Sequence, residues 1–240
     1  MNDLFPISSE LINLAHRIGA HPARLALWTE GAVAARLPAG KFAVSAAGSN
    51  LAHLDANGIV ELDLAKTQAF LAADDVSDED LADAGVNPEG PRPCGDVFAF
   101  ADLFAFEGVC FAAHTQPVAI NQITCSPRAR QFADRRSLPY EIISCGPASV
   151  LAPFAPPGLP LAKEIKRKIV LWQDRYRAVP KVILIQNHGM ITLGETVEEV
   201  LMLTEMTIKF AEIFLGAAML GGPDFLKPVH VSHVEANRVI

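Results

Sequence analysis

The sequence predicts one α/β domain, a central sheet with helices on both faces. Strand-like and helix-like segments alternate along the whole chain, with no internal repeat and no linker long enough to separate a second unit from the first. The expected domain is therefore 1–240, with a core at about 11–220 and a tail at 221–240. Half of the 240 residues are hydrophobic and 20% are charged, and a chain of this length buries about 70% of its unfolded surface. Four cysteines cannot take the place of such a core.

Each element has its own local reason. Leu11, Leu14, Ala15 and Ile18 follow Ser8-Ser9-Glu10 at helical spacing, and that helix stops near Gly19. Phe42-Ala43-Val44 reads as a strand, followed by the small-residue loop Ala46-Ala47-Gly48-Ser49. Asp55-Ala56-Asn57-Gly58 signals a turn into the strand at 59–62. The acidic stretch 74–83 reads as a solvated helix, with Ser77 as N-cap and Asp80 three residues on. An irregular Pro/Gly loop at 88–95 ends on Asp96, which is expected to cap an apolar helix at 97–106. A buried strand at 109–113 runs into His114-Thr115-Gln116-Pro117. A second Pro-rich loop at 153–160 hands over to a helix at 161–175. Strands at 182–186 and 190–193 flank the tight turn Asn187-His188-Gly189, and Thr196-Val197-Glu198-Glu199 forms a capping box for a helix to about 215.

Composition excludes several functions. A net charge of −7 disfavours non-specific nucleic-acid binding. The largest basic cluster, Lys163, Lys166, Arg167 and Lys168, reads as one solvated helix face. Residues 1–10 hold Asp3 and Glu10 and no apolar run, so no signal peptide is expected there. Mean hydropathy is +0.25, yet no stretch of about 18 uncharged apolar residues exists, and Asp102 interrupts the longest apolar segment. No membrane contact is expected. Cys94, Cys110, Cys125 and Cys145 lack metal-type spacing and read as buried, reduced thiols of a cytoplasmic protein.

Chemistry concentrates at two points. His114 and Gln116, two apart at a strand end, point to one face. His188 sits in a tight turn between apolar strands, a position suited to a metal ligand or an acid/base group. Taken alone, a histidine in either position is more often structural than a ligand. His230 and His233 lie in the tail without an evident partner. No G-x-G-x-x-G, P-loop or G-x-S-x-G motif is present.

Together these segments resemble the class II aldolase/adducin family, and in particular fuculose- and rhamnulose-phosphate aldolase-like proteins. Asn187-His188-Gly189-Met190 with Gly194-Glu195-Thr196-Val197-Glu198-Glu199 resembles the family's NHG…G-[DE]-T-x-E-E segment. His114-Thr115-Gln116-Pro117 stands where the family has H-x-H-P, and Pro157-Gly158-Leu159-Pro160-Leu161-Ala162 resembles its PGxPLA stretch. Residues 42–63 resemble its KxSG…I-V-x-V-D region, and Gly19-Ala20-His21-Pro22 with Arg92-Pro93 leans towards the rhamnulose-phosphate branch.

The resemblance implies a three-layer α/β/α sandwich with a mainly antiparallel sheet, often assembled as a homotetramer. It also implies a divalent metal, usually zinc, on three histidines, which polarises a substrate carbonyl so that a C–C bond breaks through an enediolate. His114 matches the first histidine and His188 the third, while Gln116 takes the second place. An amide oxygen is a poorer zinc ligand than imidazole, so the metal is expected to bind weakly or not at all. Asp96 falls where the family has its proton-handling glutamate.

The phosphate-binding segments have lost their polar groups, leaving Gly31, Gly48 and Ser49 as the expected substrate contacts. Three functions follow: a lyase acting on an unphosphorylated hydroxy-carbonyl compound, a metal-dependent dehydratase or decarboxylase, or a non-catalytic oligomerising and binding module like the adducin head.

Overall fold

The computed structural model describes residues 4–237. The reading of residues 1–10 therefore falls partly outside the described residues. Seven strands form one sheet: β1 (Ala32–Leu37), β2 (Lys41–Ser45), β3 (Ile59–Asp63), β4 (Phe111–Thr115), β5 (Val150–Ala152), β6 (Val182–Ile185) and β7 (Gly189–Gly194). Their order is β3-β2-β1-β4-β7-β6-β5, and only the β5–β6 pair is parallel. The mainly antiparallel sheet between helical layers is thus as expected.

The helices are α1 (Leu4–Gly19), α2 (Leu64–Ala69), α3 (Asp78–Asp83), α4 (Val97–Leu103), α5 (Val118–Thr124), α6 (Ala129–Asp134), α7 (Pro139–Cys145), α8 (Leu159–Tyr176), α9 (Val197–Met219) and α10 (Pro228–Ala236). Strand alternation sends side chains to two cores. Ala32, Ala34, Phe42, Val44, Ile183 and Ile191 pack on one face with Phe100, Ile165 and Trp172 of α4 and α8. On the other, Val33, Ala35, Ala43 and Phe111 meet Leu11, Leu14 and Ile18 of α1 and Val200 of α9. Val182, Leu184 and Met190 meet Ile120, Phe132 and Phe210 on the same side. Burying each such large side chain stabilises the fold by about 1.5–3 kcal/mol. The central strands β4, β6 and β7 are buried throughout, so they show no polar alternation.

Several local expectations are corrected. The first helix starts at Leu4, ahead of Ser8. Asp96 occupies the N-cap position of α4 but makes no cap hydrogen bond, because its carboxylate is taken by His114. Helix α4 ends at Leu103, short of the expected 106. Thr196 caps α9 by accepting from the Glu199 N–H, yet the Glu199 carboxylate accepts from the Glu195 N–H and from Lys181, so the capping box is not reciprocal. The acidic stretch becomes helical only from Asp78, under the full Ser77–Asp80 capping box.

The basic residues of α8 are more than a solvated face. Lys163 donates to the Ala73 carbonyl, and Lys166 pairs with Asp102 of α4 at 2.7 Å. In the tail, α10 packs against α7. Among the described residues no helix is long and apolar enough to cross a membrane. All four cysteines are free, but only Cys94 and Cys145 are buried: Cys110 is half-buried and Cys125, at the end of α5, is exposed.

Candidate metal centre

Asp96, His114 and His188 converge from three separate elements. His114 is the penultimate residue of β4, held between Ala32 of β1 and Ile191 of β7, and is only 2% exposed. Asp96 arrives on a loop that is laced onto the end of β2. The Ala47 N–H donates to the Arg92 carbonyl, the Cys94 N–H donates to the Ser45 carbonyl, and Ala46 bridges Pro93. The Pro/Gly loop, irregular in sequence, is therefore fixed by the small residues that follow β2.

His188 occupies the turn between β6 and β7. Its N–H donates to the Ile185 carbonyl, and Asn187 and Gly189 on either side both have positive φ, +57° and +139°. Gly189 is required by space as well as by φ. A Cβ there would lie 2.3 Å from the Thr115 carbonyl oxygen and 3.3 Å from His114 Nε2. The missing side chain lets the turn lie flat on the end of β4, which brings the two imidazoles to 4.9 Å between centroids. One donor atom from each of Asp96, His114 and His188 falls within 4.8 Å of the others.

The electrostatics follow from this packing. Burial opposes charge on both His114 and Asp96, but the 2.8 Å contact between His114 Nδ1 and Asp96 Oδ2 outweighs it. The His114 pKa is raised and the Asp96 pKa lowered, so the two form an ion pair. His188 moves the opposite way: burial, then the neighbouring His114 charge, lowers its pKa, so its ring is neutral at pH 7.

His114 Nε2 is buried and has no hydrogen-bond partner. Orphaned buried nitrogens are uncommon and mark a place for a missing partner. Two imidazoles and one carboxylate suit a divalent cation, so these side chains fit the metal that the motifs imply.

Of the other expected site residues, Gln116 and Gly31 lie beside this point. The Gln116 side chain passes Gly189 on the same side as His114 Nε2, its Cγ 3.2 Å from where a Gly189 Cβ would stand. Gly31 backs onto the His114 carbonyl, where a Cβ would approach to 2.7 Å. Gly48 (φ +74°) and Ser49 form the open turn after β2. His230 and His233 lie on α10 and do not join the cluster.

Sequence reasoning did not single out Ser45 or Cys94 as supporting residues. The buried Ser45 hydroxyl accepts from the Val33 N–H and contacts the Cys94 thiol, whose pKa is pushed up mainly by burial. Gly95 abuts Pro157 and Gly158, so the second Pro-rich loop borders the site. No local motif signals these contacts, because each joins distant segments.

The chain matches the profile of the class II aldolase and adducin N-terminal domain over residues 9–215. It belongs to this family. Its fold is similar to that of L-fuculose 1-phosphate aldolase, with a TM-score of 0.73 at 14% identity over 96% of this chain and 95% of that one. It is likewise similar to YgbL from Klebsiella pneumoniae, assigned only provisionally as an aldolase/epimerase/decarboxylase (TM-score 0.72, 16% identity, 98% and 99% covered). The N-terminal class II aldolase domain of a conserved Thermoplasma acidophilum protein shares 26% identity, with a TM-score of 0.64 over 86% and 92% of the two chains.

The uncharacterized oxidoreductase YuxG of Bacillus subtilis is 27% identical over 176 residues, which are 72% of this chain and 23% of YuxG. This class II aldolase-family chain therefore spans about a quarter of that longer relative.

Proposed function

We propose that this class II aldolase-family protein is a divalent-metal-dependent lyase that cleaves a C–C bond in a small, unphosphorylated hydroxy-carbonyl compound. The convergence of His114, His188 and Asp96 around an unpartnered imidazole nitrogen carries this reading. His114 and His188 hold the cation, zinc in the first instance, and Gln116 or water completes the shell. A bound divalent cation supplies Lewis acidity at a substrate carbonyl.

This chain's residues divide the remaining work. Asp96 is ionised and serves as the acid/base group, accepting the proton of the substrate hydroxyl at its carboxylate. His188 is neutral and keeps a free lone pair. Gly31, Gly48 and Ser49 contact the substrate. Ala32, Ala34 and Ala47 offer no side-chain group to grip a phosphate, which points to an uncharged substrate end. We infer that the working form is a cytoplasmic homo-oligomer, a tetramer in keeping with the family.

The test is retro-aldol cleavage by metal-loaded protein on a panel of hydroxy-aldehydes and hydroxy-ketones, followed by NMR. Turnover of an unphosphorylated compound, lost in Asp96→Asn, is expected. Faster turnover of the phosphorylated counterparts contradicts the substrate assignment. Two alternatives each have one supporting observation. The provisional description of YgbL includes a decarboxylase, which supports a metal-dependent decarboxylase or dehydratase reading only in its decarboxylase form, and Gln116 in a histidine's place favours a non-catalytic binding module.

A further inference from the structure

A second polar site lies away from the metal cluster, along the edge of the sheet. Strand β5 is an edge strand, and the end of α8 and helix α6 close over it. Between them is a chamber of about 210 Å³ lined by Arg130, Ser149, Lys168, Trp172, Arg175 and Tyr176. It shares Arg175 and Tyr176 with an adjoining chamber of about 310 Å³ that reaches Arg135 and α10.

The charge of this region runs against that of the chain. Three cations, Arg130, Lys168 and Arg175, line the smaller chamber against one carboxylate, Asp134, on a protein of net charge −7. Asp134 is engaged by Arg130 at 3.5 Å. No carboxylate lies within ion-pair distance of Lys168 or Arg175 among the described residues.

An aromatic wall stands beside these cations. Trp172 lines the chamber and is 8% exposed, and its indole Nε1 is buried with no hydrogen-bond partner. Its ring is held by Tyr176, 4.8 Å away between centroids, and Arg175 lies over the Tyr176 ring.

We propose that this groove binds the phosphate group of a small phosphorylated molecule. Guanidinium forks and a lysine ammonium offer donors from several sides, which suits a tetrahedral oxyanion better than a planar carboxylate. The site is independent of the metal centre and of the reaction proposed there.

The chain has two tryptophans, and Trp28 is 83% exposed, so Trp28→Phe leaves Trp172 as the sole tryptophan emitter. Inorganic phosphate titrated into that variant in the presence of EDTA should change the emission saturably. Acetate and potassium chloride at matched ionic strength should not. Adding Lys168→Gln and Arg175→Gln should weaken phosphate binding at least tenfold at unchanged melting temperature, whereas His188→Ala should leave it unaltered.

No saturable change, an equal response to acetate or chloride, or full binding by the double variant would overturn the proposal. If the double variant unfolds, Lys168→Gln alone serves, with at least a threefold weakening expected and no weakening contradicting the site.

Discussion

Asp96 Oδ2 lies 2.8 Å from His114 Nδ1, inside the fold, and this contact replaces the helix cap that Asp96 would otherwise make. A cap is worth about 1 kcal/mol, whereas a hydrogen bond between charged groups contributes about 1.5–3 kcal/mol. The local capping preference is therefore overridden. The contact also fixes the orientation of the His114 ring.

The pair makes metal-free stability depend on pH. His114 is raised above its ordinary value, so its contribution is complete below about pH 6.5 and fades as pH climbs through the raised value. Asp96 is lowered, so its contribution is complete above about pH 4 and fades only as pH falls through the lowered value. His188 slopes the opposite way to His114, since its lowered pKa favours the folded state at higher pH. Comparison with Asp96→Asn isolates the pair: the melting-temperature gap between wild type and variant should be largest between about pH 4 and 6.5 and should narrow by pH 9. A gap constant from pH 5 to pH 9 would show that the pair is not ionised.

Gly189→Ala should be among the costliest single-methyl additions in the chain. Its Cβ would sit 2.3 Å from the Thr115 carbonyl at a φ of +139°, so both space and backbone oppose it. A loss of about 2–4 kcal/mol is expected in chemical denaturation. A variant as stable as wild type would show that the turn does not lie against β4.

Gln116→His should raise zinc affinity at least tenfold, measured by competition with a chromogenic chelator. An imidazole would replace the amide of a side chain whose Cγ, like His114 Nε2, closes on Gly189. Unchanged affinity would mean that the three positions do not share a ligand.

Much of this was legible in the sequence because the signals were local. Ser77 with Asp80, the Asn187-His188-Gly189 turn and the spacing of Leu11 to Ile18 each specify structure within a few residues. Strand β1 was harder to see: Ala32, Ala34 and Ala35 carry little strand preference, Val33 alone favours a strand, and pairing with β2 and β4 makes them one. Helices α5, α6 and α7 are six or seven residues each, too short for periodicity to show. At the site, the histidines were visible as motifs. The Asp96 contact with His114 was not, because it joins residues 18 apart through a loop whose path depends on β2.

Arg136 shows the same long-range logic in a structural role. It is 2% exposed and donates to the Gly146 carbonyl and the Ser149 hydroxyl, with Glu141 3.6 Å away. Arg136→Met should cost about 3–5 kcal/mol, because it leaves a buried carboxylate unpaired. Adding Glu141→Leu should recover some of that loss in thermal denaturation. A double variant no more stable than Arg136→Met would contradict the charge argument.

The central claim is that His114 and His188, with Asp96 beside them, form a working metal site despite Gln116. Metal content by plasma mass spectrometry, on protein purified without affinity tag or chelator, tests it most directly. The account predicts about one zinc, manganese or iron per chain in the wild type, and essentially none in a folded His188→Ala variant. No metal in the wild type, even after incubation with excess zinc, would contradict it.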